Sequence, residues 1–191
     1  MLMTLCGGDN VAWGDLRFDS WYRLPGGLII REYLLKNHGK STPAKRSGAV
    51  QGITIATLPV LMKYDDSAEY IKHLTSDGFI PHIFDGMRDT WQTLDFDTCW
   101  QRSDGQKNDK TICIAIICSS GEMPFVTPTG EFAPVERSYI PFHDAAKLTA
   151  YLLHKYKLDI STVKVTKGCS DFVTSRWAQF KAEIKKQLAR L

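Results

Sequence analysis

The chain has 191 residues, of which 43% are apolar and 24% are charged, and its formal net charge is +3. This size and composition predict one ordinary folded domain and exclude a disordered, collagen-like or repeat-only protein. The apolar runs are all shorter than the ~20 residues that a membrane helix needs, so no membrane span is expected. The first residues lack a basic start and a long apolar stretch, which predicts no signal peptide and a cytoplasmic location. The small positive charge permits contact with nucleic acid without favouring it.

The cysteines predict neither a disulfide framework nor a zinc finger. Their number is odd, and no two of them form a Cys-x-x-Cys pair. Reduced thiols are therefore expected at the five positions, Cys6, Cys99, Cys113, Cys118 and Cys169.

Residues 1–47 differ in composition from the remainder and are predicted to be an N-terminal extension to a domain of residues 48–191. The apolar stretch 28–35, followed by basic residues and Gly39, is typical of a short helix that ends at that glycine. The polar, proline-containing run 37–46 reads as a loop. Aromatic side chains anchor this extension or form a binding patch, and the sequence leaves both open for Trp13, Trp21 and Tyr22.

From residue 48 onward, hydrophobic periodicity and turn residues predict alternating strands and helices. Asp66 with Glu69 is typical of a helix start, and Gly78 of a helix end. The predicted strands span 50–58, 80–85, 90–94, 111–118 and 160–165, and the predicted helices span 66–77, 142–157 and 173–188. This order predicts an α/β or α+β domain in which a mixed central sheet carries about three helices.

Four of these strands carry more specific expectations. The strand 50–58 is expected to place Ile53 and Ile55 on one face and Ala56 on the other. The strand 111–118 is apolar throughout, which is typical of a strand covered on both faces. The strands 80–85 and 90–94 are expected to pair through a turn at Gly86.

Six short strings occur in the order typical of one protein family. They are Gly52-Ile-Thr-Ile-Ala-Thr57, Pro81-His82-Ile-Phe-Asp85-Gly86, Cys99-Trp100-Gln101-Arg-Ser-Asp104-Gly105, Asn108-Asp-Lys-Thr-Ile-Cys-Ile-Ala-Ile116, Lys167-Gly-Cys169 and Phe172 with Arg176-Trp177. With these strings, residues 48–188 resemble the type-2 N-acetylmuramoyl-L-alanine amidases. That family includes phage endolysins and peptidoglycan-recognition proteins.

The resemblance implies a zinc ion held by three side chains, with an open position for water or the scissile carbonyl. In the family the ligands are a His on the first strand, a His about eight residues before a Cys, and that Cys or an Asp. Here the first position falls on Ala56 and the second on Ser161, or on Thr162 with a one-residue gap, so only Cys169 remains.

The groups that would move protons are also replaced. The family's general-base carboxylate falls on Ala115, its alternative tyrosine on Pro81, and the His that follows the tryptophan on Gln101. A methyl group can neither bind zinc nor transfer a proton. The resemblance with these departures predicts a pseudoenzyme with no metal and no cofactor.

The expected function is therefore binding in the inherited cleft. The ligand would be a muropeptide, another small molecule or a protein partner, and a phage setting would place the protein in the host cytoplasm or in the virion. The residues that the resemblance assigns to the cleft are Ala56, Thr57, His82, Trp100, Gln101, Ser161, Lys167 and Cys169.

Two catalytic alternatives stay open at this point. One is an amidase whose zinc site is rebuilt around His82 and Cys169, with Asp97, Cys99 or His143 as further ligands. The other is a hydrolase in which Cys169 is the nucleophile, with His82 or His143 as its base. In its oxygen version the nucleophile is Ser161 or Ser170, with the same histidines. In either case Lys167 would stabilise the oxyanion. The alternative for His82 is a hydrogen-bonded structural histidine.

Overall fold

The computed structural model describes residues 19–59, 71–72, 75–86, 89–118, 124–126, 132–134, 139–166 and 176–191. Within these ranges, seven strands form one mixed sheet in the order β1-β2-β5-β4-β8-β3-β11. The strands of this sheet are β1 Ser20–Arg23, β2 Ile29–Glu32, β3 Gly52–Pro59, β4 Ile83–Asp85, β5 Thr90–Gln92, β8 Thr111–Cys118 and β11 Val163–Val165.

The four strands β4, β8, β3 and β11 run parallel, whereas β5 pairs antiparallel with β4 and β1 pairs antiparallel with β2. Two short antiparallel pairs lie outside the sheet, formed by β6 Trp100–Gln101 with β7 Lys107–Asn108 and by β9 Pro124–Val126 with β10 Phe132–Pro134. The expected mixed α/β architecture is confirmed, as is the pairing of residues 83–85 with residues 90–92.

The two long strands at the centre form because β-branched side chains pack well on both faces of a pleated sheet. Ile53 and Ile55 of β3 belong to one buried cluster and Ala56 to another, as the alternation predicted. Residues 112–117 of β8 are buried, so this strand is covered on both faces, as expected.

Two α-helices cover one face of the sheet, which we call the helix face. They are α1 Tyr139–Tyr156 and α2 Trp177–Leu188. Leu148 and Leu152 of α1 and Phe180 and Ile184 of α2 pack with the isoleucines of β3 and β8. The other face, the alanine face, carries Ala56, Ala115 and their neighbours, with Ile71 packed against them.

Part of the predicted helix 66–77 is described. Residues 71, 72, 75 and 76 are helical, and Gly78 follows in a left-handed conformation (φ 86°). Asp66 and Glu69 lie outside the described residues. No helix in the described ranges is long and apolar enough to cross a membrane.

The N-terminal segment differs from its prediction. Residues 29–32 form the strand β2 and not a helix, because β1 and β5 supply hydrogen-bonding partners on both sides, which outweighs local propensity. Helical turns are confined to a short 3-10 helix, Leu35–His38, which ends at Gly39 as expected. The described part of the predicted extension thus contributes two strands to the central sheet.

The prediction of a strand over residues 160–165 is wrong for its first half. Ile160–Thr162 form a 3-10 turn, and the strand begins at Val163. The cause is Asp159, whose carboxylate accepts the backbone N–H of Ser161 at 2.7 Å and so stabilises the turn.

Gly52 of β3 lies close to the backbone of the turn before β11. A Cβ at this position would lie 2.6 Å from the backbone oxygen of Thr162. We expect Gly52→Ala to lower the free energy of unfolding by about 1–3 kcal/mol, because two parallel strands must separate. Urea denaturation measures this. The matched control is Gly48→Ala, where a Cβ meets nothing within 4 Å. An equal effect of both substitutions would contradict the prediction.

Candidate functional site

One row of side chains crosses the alanine face at the positions where the resemblance implies zinc chemistry. The strand register pairs Ala56 of β3 with Ala115 of β8, and Ala115 with Phe84 of β4. All three are buried, with relative exposures of 4%, 0% and 0%. The positions expected to hold a zinc ligand and a general base are therefore neighbours, and both carry methyl groups. We call Trp91, Phe84, Ala115 and Ala56 the central row.

The central row is apolar across four strands. Trp91 of β5 is the register partner of Phe84, and both side chains are buried. Beyond Trp91 lies Arg31 of β2, whose guanidinium stands 6.0 Å from the Trp91 ring and forms an ion pair with Asp89. The first charged group of the row is thus three strands away from Ala115.

The structure places Ser161 away from Ala56. Val163 is the register partner of Ile53, and the backbone N–H of Thr166 donates to the oxygen of Ile55. Thr166 therefore lies beside Ala56. Ser161 is exposed and lies in the turn Ile160–Thr162, before the opposite end of β11.

His82 is a buried structural histidine and does not open into a cleft. It is fully inaccessible to solvent. Its Nδ1 accepts the backbone N–H of Cys113 at 3.0 Å, so Nε2 carries the proton and donates to the carbonyl of Thr98, also at 3.0 Å. Burial lowers the pKa of His82 to about 3. Both ring nitrogens are engaged with the backbone, so neither is available to a metal or to a nucleophile.

Arg46 binds backbone carbonyls around His82. The sequence predicts only that this residue lies in a loop. Its guanidinium donates to the carbonyls of Phe96 at 3.3 Å, Thr98 at 3.1 Å and Thr111 at 3.2 Å, and also to that of Asp109. It lies 3.4 Å from Nε2 of His82. Because Nε2 is itself a donor, this last contact is not a hydrogen bond, and the positive charge adds to the lowering of the His82 pKa. No local pattern marks such an arginine, because its partners are 50 or more residues away.

Asp85 is a buried carboxyl group on the helix face, at the end of β4. Its Oδ1 accepts the hydroxyl of Thr90 at 2.7 Å, and its Oδ2 has no hydrogen-bond partner among the described residues. Burial raises the pKa of Asp85 well above its usual range, and the nearby Asp144 raises it further. It lies on the opposite side of the sheet from the central row.

The other predicted cleft residues are dispersed. Trp100 is buried, and its indole N–H donates to Oγ1 of Thr111 at 3.0 Å. Thr57 is adjacent to Ala56 in β3, so the two side chains point to opposite faces. Gln101 is half-buried and lines a cavity between the 3-10 helix and β7. Lys167 and Cys169 lie outside the described residues.

The residues considered for a rebuilt metal site are not brought together. His143 of α1 lies 3.1 Å from Glu183 of α2, on the helix face. The thiol of Cys99 is buried against the backbone of Lys45, and Asp97 pairs with the Lys45 ammonium at 3.2 Å. Within the described ranges, no three His, Cys, Asp or Glu side chains are grouped so as to hold a metal ion.

Solved structures share this fold. A mutant endolysin from Bacillus subtilis superposes with a TM-score of 0.59 at 17% identity, covering 82% of this chain and 99% of its own. The catalytic domain of XlyA gives 0.58 at 16% identity, with 81% and 98% covered. The Staphylococcus aureus hydrolase AmiA, solved in complex with its ligand, gives 0.57 at 15% identity, with 83% and 82% covered. No family model and no curated protein sequence matches the chain. At these identities the likeness establishes an amidase-like fold.

Proposed function

We propose that the chain is a catalytically degenerate protein with an amidase-like fold, and that it acts by binding a muropeptide-like fragment of peptidoglycan. The observation that carries the proposal is the central row, in which Ala56 and Ala115 stand side by side where the resemblance implies a zinc ligand and a base. With alanine at both positions, β3 and β8 still pair along their full length. The endolysin and the ligand-bound hydrolase among the structures of the same fold support peptidoglycan as the ligand class.

The ligand would lie at the carboxyl ends of β3, β8 and β11, since ligands of open parallel sheets bind outside that edge. Thr57 and Thr166 are half-buried polar residues at this edge, and Thr166 is the one on the same face as Ala56. A threonine side chain can exchange hydrogen bonds with a sugar or peptide but cannot replace zinc as a Lewis acid. A protein partner at the same edge would compete with the muropeptide.

The absence of catalysis is tested on the full chain, purified without chelator. We expect a zinc content well below one per chain by mass spectrometry, and no release of peptides from peptidoglycan. An active endolysin catalytic domain is the positive control. One zinc per chain together with turnover that is lost in Cys169→Ala would overturn the proposal in favour of a rebuilt zinc site. Turnover without zinc that is lost in the same variant would indicate a thiol hydrolase.

The binding site is tested with muramyl dipeptide by calorimetry. We expect Thr166→Trp to weaken binding at least tenfold, because the indole fills the edge beside Ala56. Ser161→Trp is the matched control, since Ser161 is exposed at the other end of β11 and should bind as the parent does. No binding by the parent protein, or equal binding by both variants, would remove the carboxyl edge as the site.

A further inference from the structure

A basic cavity lies away from the carboxyl edge of the sheet. It has a volume of about 250 Å³ and lies close to the residues that precede β4 and β8. This volume is below the ~300 Å³ at which pockets for drug-sized ligands begin, so it suits a small fragment or a head group. Its floor is apolar and consists of Leu35, Pro43 and Ile80, which are buried.

The charged side chains that line the cavity are both positive. Lys40 and Lys107 line it, and no carboxylate among the described residues does. Within the described ranges neither ammonium group has an ion-pair partner, in contrast to Lys36 and Lys45, which pair with Asp95 and Asp97. Thr75 is helical and lies near a helix end, whose partial charge is about half a negative charge and is smaller than the two positive charges of the lysines.

Hydrogen-bonding groups surround the two lysines. Ser41 and Thr42 line the cavity, and their hydroxyl groups bond to no described residue. Gln101 is held in place because its Nε2 donates to the oxygen of Gly78 at 3.1 Å. Its Oε1 accepts no hydrogen bond from a described residue and can accept one from a ligand.

We propose that this cavity binds a small ligand that carries an oxyanion, a phosphate or a carboxylate, together with a hydrogen-bond donor. Lys40 and Lys107 neutralise the anion, and the hydroxyl groups of Ser41 and Thr42 donate to its oxygens. The Oε1 of Gln101 accepts from the neighbouring hydroxyl or amide of the ligand. The site is independent of the proposed function, because it shares no residue with the carboxyl edge of the sheet.

The test is a titration of the full chain with inorganic phosphate and, separately, with succinate, followed by backbone amide NMR shifts. We expect saturable shifts at Ser41, Thr42 and Gln101 with at least one of the two probes. The probe that binds more tightly distinguishes a phosphorylated ligand from a carboxylate. The double variant Lys40→Gln/Lys107→Gln should lose at least tenfold in affinity.

Lys45→Gln is the matched control, since it removes a lysine of the same loop that is paired with Asp97 and does not line the cavity. It should bind as the parent does. The proposal is overturned if neither probe gives saturable shifts at the cavity, or if the double variant binds as tightly as the parent.

Discussion

Replacing Arg46 with alanine is expected to lower the free energy of unfolding by at least ~3 kcal/mol. The guanidinium donates to four backbone carbonyls from three stretches of chain, at residues 96–98, 109 and 111. Without it these acceptors lose a charged donor, and each buried acceptor left unsatisfied costs about 1–3 kcal/mol. Arg46→Lys should recover less than half of the loss, because an ammonium group cannot reproduce the planar fork of five donors.

The measurement is the free energy of unfolding of Arg46→Ala, obtained by urea denaturation and compared with that of Lys45→Ala. Lys45 is the neighbouring cation, and its ammonium pairs with Asp97 at the surface, where the two side chains are 82% and 59% exposed. Such a pair contributes about 0–1 kcal/mol. If the two variants differ by less than ~1 kcal/mol, Arg46 does not hold the loop to the sheet.

His82 is expected to make the protein less stable in mild acid. Its pKa is about 3 in the folded state, against 6.5 for the free side chain, chiefly because it is buried and also because it faces Arg46. The hydrogen bond to the Thr98 carbonyl and the charge of Asp97 oppose the shift without cancelling it. A group with a depressed folded pKa contributes stability that is fully present above pH 6.5 and is lost as the pH falls towards 3. At pH 5 the loss corresponds to 1.5 pH units, or about 2 kcal/mol.

The pKa of Asp85 is shifted in the opposite direction, so its contribution to the pH dependence of stability must be separated from that of His82. Its raised pKa means that it contributes stability below the usual carboxyl pKa, and that this stability is lost as the pH rises through the folded value. We therefore compare unfolding at pH 7.5 and pH 5 in Asp85→Asn, where Oδ1 can still accept from Thr90. A decrease of ~2 kcal/mol is expected. It should disappear in the double variant His82→Gln/Asp85→Asn. A decrease of the same size in the double variant would assign the acid sensitivity to other groups.

The long periodic elements, and the side chains at the positions of the candidate site, could be read from the sequence alone. The apolar run 111–118 and the helical stripe through Phe180 and Ile184 carry their periodicity locally, and both form as predicted. The methyl groups at Ala56 and Ala115 are equally a property of the sequence. Side-chain identity by itself excludes these two positions as a zinc ligand and a base, whatever the fold.

Only the tertiary structure decided which residues meet. Residues 29–32 became a strand because two other strands pair with them, and Thr166 lies beside Ala56 because of the register in which β11 pairs with β3. The roles of His82 and Arg46 depend on carbonyl groups from distant parts of the chain. Burial and hydrogen bonding to remote backbone groups are non-local, so no spacing along the sequence encodes them, whereas periodicity and side-chain chemistry are local.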